Sequence, residues 1–233
     1  MKGQIYLIPT PLGEDALHTI PPYVVEIIHR LDTFIAERAK TARHFIKATL
    51  PPYPLSSLTV FEIDENTQKV DYQAVAKILN SGKSIGVMSE AGCPGVADPG
   101  ALVVEWAHKN GFVVAPLVGP SSILLALMGS GFNGQSFQFH GYLSAKKGEI
   151  GRDLKRLEDI ARNKKQAQIF IETPYRNMAL IESAFANLQS ATRFCIAADL
   201  TTPPQYIVTK TIAEWEKTEL PDLHKKPAIF LLG

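Results

Sequence analysis

Short apolar runs alternate with amphipathic stretches from the first residues of this chain, and that rhythm restricts it to a parallel sheet covered by helices. Runs over 5–8, 33–36, 59–63, 84–88 and 113–117 read as strands. The stretches over 22–31, 41–48, 72–80, 101–110 and 121–128 read as helices, and the Pro51-Pro52-Tyr53-Pro54 cluster as a surface bend. The segment GSGFNG, 129–134, has the glycine density of a hinge, so a domain boundary is expected there. The fold class is then α/β with two α/β domains: an N-terminal parallel sheet flanked by helices over 1–131 and a C-terminal domain over 132–233. In the second domain 137–142 is a linker or first strand and 146–162 a charged helix. Strands at 167–171, 194–198, 206–208 and 228–232 follow, with helices at 175–188 and 212–218. Short connections around Thr201-Thr202-Pro203-Pro204 permit antiparallel neighbours, which predicts a mixed sheet with helices.

The segment SEAGCPGVADPG, 89–100, carries three glycines and two prolines directly after an apolar strand and before a helix. Loops in that position, at the carboxyl end of a strand, are where open α/β sheets hold ligands. Glycines such as Gly92 and Gly95 allow close approach of a ligand to the backbone, while the prolines fix the path.

Composition narrows the partners. With 24 basic and 23 acidic side chains there is no global pull toward nucleic acid, so any such contact needs a local patch. Cys93 and Cys195 match no zinc or redox spacing, and the six histidines show no metal spacing, so no metal is expected. The opening MKGQIYLIPTPLG is broken early by Pro9 and Pro11, and no run of about 18 apolar residues exists. A cytoplasmic protein with no membrane partner is expected.

With these motifs in order, the chain resembles the tetrapyrrole methylase superfamily. Its nearest likeness is to the branch that methylates a cytidine ribose 2′-hydroxyl of small-subunit ribosomal RNA. That branch carries SDAGTPLISDPG, matched here at Ser89, Ala91, Gly92, Pro94, Asp98, Pro99 and Gly100, with Glu90 for Asp and Cys93 for Thr. Its VPTPIGN opening is matched by Ile8-Pro9-Thr10-Pro11-Leu12-Gly13, and its LPGPSA segment by Leu117-Val118-Gly119-Pro120-Ser121-Ser122. The likeness continues through Phe139-His140-Gly141-Tyr142-Leu143, Lys146-Lys147-Gly148-Glu149 and Ile171-Glu172-Thr173-Pro174-Tyr175-Arg176.

The resemblance implies a homodimeric, S-adenosylmethionine-dependent methyltransferase with the cofactor in a cleft between two domains, held mostly by backbone. The matching cofactor positions are Pro9, Thr10, Pro11, Glu90, Gly92, Cys93, Val96, Ser121 and Ser122, with Thr173, Ala198 and Pro227 in the second half. It further implies an RNA substrate. Lys146, Lys147, Arg152, Lys155 and Arg156 make a stripe that suits a phosphate backbone. Glu37, Lys40 and Arg43, just past the second strand, are the candidates on the substrate side for a base and for cations that favour an alkoxide; the alternative is a solvated helix start. The chain departs from the branch at Arg38, which reverses the charge of an acidic position, and at Glu14, which replaces Asn. Two other functions stay open here: methylation of a small molecule such as a tetrapyrrole precursor, and a non-catalytic module that binds the cofactor or RNA.

Overall fold

The computed structural model describes residues 2–63, 70–144, 146 and 148–233. The chain forms two compact units, Met1–Ser121 and Ser122–Gly233.

The first unit holds β1 (Gln4–Ile8), α1 (Pro22–Arg30), β2 (Thr33–Ala36), α2 (Ala39–Ala48), β3 (Thr59–Glu62), α3 (Tyr72–Asn80), β4 (Ile85–Met88), α4 (Gly100–Lys109) and β5 (Val113–Pro116). Its five strands lie in the order β3-β2-β4-β1-β5. Every pairing is parallel. Because successive side chains of a strand point to opposite faces, Phe34 and Ile35 of β2 enter two different cores. Phe34 joins Ile8, Val24, Ile28 and Ile46 beneath α1 and α2. Ile35 joins Ile5, Val75, Val87 and Ala107 beneath α3 and α4. The central strands β2 and β4 are buried along their whole length, which is why they read as unbroken apolar runs.

The second unit begins with α5 (Ser122–Ser130), followed by β6 (Phe137–Tyr142), α6 (Glu149–Lys164), β7 (Ala167–Glu172) and α7 (Asn177–Asn187). It closes with β8 (Arg193–Ala198), β9 (Tyr206–Thr211), α8 (Ile212–Trp215) and β10 (Ala228–Leu232). The sheet order is β6-β7-β10-β8-β9. Among the described strands only β6 and β7 pair in parallel, so the sheet is mixed as the short connections require. Phe170, Phe194 and Phe230 stack across three neighbouring strands, with ring centroids 6.1 and 5.8 Å apart. Leu154, Leu157, Leu180 and Ile181 of α6 and α7 cover that face. The indole of Trp215 donates to Phe194 O at 2.7 Å, which satisfies its one polar atom inside the core. α5 packs on β8, β9 and β10 from the other side, where a Cβ on Gly129 would stand 2.7 Å from Ile207 Cδ1.

α6 starts at Glu149 rather than at Lys146. Gly148 takes a left-handed φ of +84° at the cap, so Lys146 belongs to the turn before the helix.

Gly86 in β4 sits where a Cβ would lie 2.6 Å from Ile8 Cδ1 and 2.7 Å from Phe34 Cδ1. Gly86→Ala is expected to lower stability by about 1–3 kcal/mol through overpacking, read as a lower urea midpoint at unchanged slope.

Candidate active site

Since all five strands of the first unit are parallel, the loops that follow them leave from one edge. The strand order reverses about β1, with β4, β2 and β3 on one side and β5 on the other; ligands of open α/β sheets bind at such a place. The loops after β1, β4 and β5 meet there and are fastened to one another. Thr10 N–H donates to Gly92 O at 2.9 Å and Gly92 N–H donates back to Thr10 O at 3.1 Å. The Thr10 hydroxyl donates to Ser89 O at 3.3 Å, and the Ser89 hydroxyl to Gly92 O at 3.1 Å. Thr10 and Ser89 are both buried.

Gly92 has φ +80°, and a Cβ there would stand 3.2 Å from Leu12 Cδ2 and 3.5 Å from Pro120 O. The space beside Gly92 is therefore filled by the neighbouring loops, and the glycine serves to let them close rather than to leave a gap. At Gly119 a Cβ would fall 2.2 Å from Pro9 Cγ, so the proline ring lies directly on that backbone. The Cys93 thiol donates to Pro120 O at 3.3 Å. Burial, then the negative charge of Asp98, pushes this thiol up, which keeps it protonated and a poor nucleophile.

The outer turn of the β4 loop presents Glu90, Ala91, Val96 and Ala97, all exposed. Asp98 holds this turn from behind. Its Oδ1 accepts from Gly95 N at 2.8 Å and from Gly100 N, the first residue of α4, at 2.6 Å. Its Oδ2 is buried without a partner among the described residues. Burial raises the Asp98 carboxyl above the usual range, and the two backbone bonds pull against it.

Next to this turn stands Glu37, half-buried just past β2. Burial is the main cause that raises its carboxyl, the charges of Asp98 and Glu90 add to it, and a hydrogen bond from the Glu90 backbone and the Arg38 charge oppose it. Thr41 Oγ1 donates to Glu90 Oε2 at 3.1 Å, and Ala39 N–H donates to Glu62 Oε1 at 2.6 Å, so α2 is tied to the same edge. Lys40 is exposed and Arg43 half-buried on α2.

The expected cofactor positions of the first unit thus gather at one edge of its sheet and run on to Ser121; Ser122 is the first residue of α5, in the second unit. In the second unit Thr173, Ala198 and Pro227 come together at one end of the other sheet. Ala228 of β10 pairs with Glu172 on one side and Ala198 on the other, so Ala198 lies in that row and Thr173 and Pro227 are next to it in the chain. Among the basic candidates, Arg152, Lys155 and Arg156 are exposed on α6 and Lys146 in the turn before it. Arg156 lies 3.7 Å from Asp153. Lys147 lies outside the described residues.

The sequence motifs included Asp98 but assigned it no task, and missed Leu12 as the side chain that fills the space beside Gly92. An Asp directly before Pro-Gly at a helix start was the available signal for the first. None marked the second, since Leu12 is one apolar residue in a turn.

No protein-family model matches the chain. It is 31% identical to the ribosomal RNA small subunit methyltransferase I of Vibrio cholerae over 210 residues, 90% of this chain and 69% of the relative. The protein of the same name from Bacillus subtilis is 29% identical over 212 residues, 91% of this chain and 68% of the relative. The chain therefore spans about two thirds of the length of these relatives. Among solved structures, a diphthine synthase superposes with a TM-score of 0.69 at 10% identity, covering 99% of this chain and 89% of that one. A cobalt precorrin-4 methyltransferase gives 0.64 at 14% identity, covering 99% and 94%. These structural likenesses establish the α/β architecture of both sheets.

Asp98 with its raised carboxyl contributes stability that is full below its unfolded pKa and lost as pH rises through the folded one. Asp98→Asn, which keeps an acceptor for both N–H groups and removes the buried charge, is expected to be at least as stable as the parent at neutral pH. Asp98→Ala, which strands both donors, is expected to lose about 1–2 kcal/mol; urea denaturation of the three proteins measures both.

Proposed function

The chain belongs to the ribosomal RNA small subunit methyltransferase I family of the tetrapyrrole methylase superfamily, which are S-adenosylmethionine-dependent methyltransferases, and we propose that it methylates a ribose 2′-hydroxyl of small-subunit ribosomal RNA. The observation that carries this reading is the fastened pair of loops at Thr10 and Gly92, which sets exposed main chain of the β4 loop beside a group of carboxylates.

That environment suits the methyl donor. S-adenosylmethionine supplies an electrophilic methyl group and brings a sulfonium and an ammonium, both cationic. Glu37 is pushed up by burial and by the neighbouring charges of Asp98 and Glu90, so a bound cation relieves a strain already present. The backbone around Pro9, Thr10, Pro11, Gly92, Cys93, Val96, Ser121 and Ser122 would hold the donor, and the exposed Glu90 carboxylate would accept from its hydroxyl or ammonium groups. On the second unit the candidate contacts are Thr173, Ala198 and Pro227.

A ribose hydroxyl is a weak nucleophile and needs its proton taken. Glu37 fits that task because its raised pKa brings it nearer the range in which a carboxylate is an effective base. Lys40 and Arg43, on the helix that follows, would favour the developing negative oxygen. Positioning of the two reactants and exclusion of water supply the rest. A homodimer in the cytoplasm belongs to the same reading. Leu124 and Met128, four residues apart on α5 and 50% and 79% exposed, offer one apolar face for it.

Labelled S-adenosylmethionine, incubated with this protein and small ribosomal subunits from a strain lacking its gene, should place label on one nucleotide's ribose; naked RNA is tested alongside. Binding of the donor with no transfer to either would overturn the reading. The parent's kcat is expected to rise with pH through the raised Glu37 pKa, and Glu37→Gln should lower kcat by about 10²–10⁴ with little change in KM and abolish that rise. Gly119→Ala, which drives the Pro9 ring off its seat, should weaken donor binding by calorimetry.

A further inference from the structure

α6 and α7 pack against each other in the second unit and leave between them an open trough of about 480 Å³. Lys146, Arg152, Lys155 and Arg176 line it, with no acidic side chain among the described lining residues. The positions explain its shape. Gly151, Arg152 and Lys155 share one side of α6 with Gly148 at its cap, while Ala179, Ser183 and Asn187 recur at helical spacing on α7 with Arg176 at its cap. Gly151 permits the close approach, since a Cβ there would lie 2.8 Å from the Asn187 amide.

The charges in the trough are unequally satisfied. Arg176 pairs with the buried Glu172, and Lys146 lies 3.8 Å from Glu149. Arg152 and Lys155, three residues apart on the same helix, have no ion-pair partner among the described residues. Two like charges one turn apart repel, and an anion bound in the trough would relieve them. In a chain of formal net charge +1 this is a local concentration that the whole-chain balance conceals.

We propose that this trough binds the phosphodiester backbone of the RNA substrate, with Arg152 and Lys155 neutralising phosphates from the α6 side and Ser183 and Asn187 offering hydrogen bonds from the α7 side. The proposal rests on the RNA-methylating reading above and adds to it a defined contact surface, in which α7 takes part and Arg156, turned to Asp153, does not. Phosphate and sugar contacts of this kind set the register of a nucleic acid on a protein without reading its sequence. The trough is accordingly a holding surface for the substrate strand.

The test uses a fluorescein-labelled single-stranded RNA oligonucleotide and anisotropy across a salt series. Arg152→Glu/Lys155→Glu should lower affinity at least tenfold at low salt and make the slope of log K against log salt shallower by about 1.4, at roughly 0.7 for each phosphate no longer neutralised. Ser183→Glu, which sets a carboxylate on the opposite wall, should weaken binding several-fold. Lys164→Glu/Lys217→Glu, with the same charge change at exposed positions outside the trough, should bind nearly as the parent does. Circular dichroism melts confirm that each variant folds, and calorimetry of S-adenosylmethionine should give parental affinity for all of them. Parental RNA affinity in both trough variants, with methyl transfer to ribosomal subunits intact, overturns the trough and leaves the enzymatic reading standing. Trough-dependent RNA binding by a protein that transfers no methyl group supports the trough and overturns the enzymatic reading alone. Inorganic pyrophosphate that displaces RNA at equal concentration marks a small-anion site and also overturns the proposal.

Discussion

The two backbone hydrogen bonds exchanged by Thr10 and Gly92 hold the first unit's functional edge together. Each is worth only about 0.5–1.5 kcal/mol net, yet they fix two loops that are far apart in sequence at a single separation. The other contacts follow from that fixed distance. Leu12 closes on Gly92, Pro9 lies on Gly119, and Cys93 reaches Pro120. Three loops then behave as one block, and the outer turn from Glu90 to Ala97 keeps its main chain ordered before any ligand arrives. A binding surface built of backbone depends on such prior order, because side chains cannot readjust to repair a misplaced peptide.

Charge is distributed unevenly between the two units. Glu37, Glu62, Glu90 and Asp98 gather at one edge of the parallel sheet, and the carboxyls of Glu37 and Asp98 are raised by burial. Arg152 and Lys155 stand in a trough on the other unit without carboxylate partners among the described residues. A cationic donor and an anionic polymer are the ligands that such a division favours. Glu172 and Arg176 differ from both groups: a buried carboxylate and the guanidinium that satisfies it serve the fold, and removing either would strand the other.

Much of this is legible in the sequence. All five strands of the parallel sheet lie where apolar runs of four or five residues suggested, most plainly β2 and β4, which are buried on both faces and carry no polar alternation to confuse their limits. The mixed second sheet followed from short connections near Pro203 and Pro204. The contacts that give those elements their use were less legible. That Gly92 faces Leu12 instead of open space depends on a pairing across most of the first unit, which no local pattern encodes. The helix containing Arg152 was visible as a charged stretch, but its start at Glu149 depends on the left-handed backbone of Gly148. Ser183 and Asn187 carried no signal at all, for they matter only through the neighbour that their helix lies against.

β1 leaves the ribosome well before both its partners, β4 and β5, which come much later in the chain. Ile8 can meet Val24, Ile28 and Phe34 of its core early, but β1 has no strand to pair with until most of the first unit has been synthesised. Pairing at such long range is slow to nucleate, since closing the intervening chain costs entropy before any contact rewards it. The same topology that gathers three loops at one edge thus makes β1 a point of vulnerability during biogenesis. Its exposure to chaperones and to misassociation would last until residues beyond Val113 have emerged.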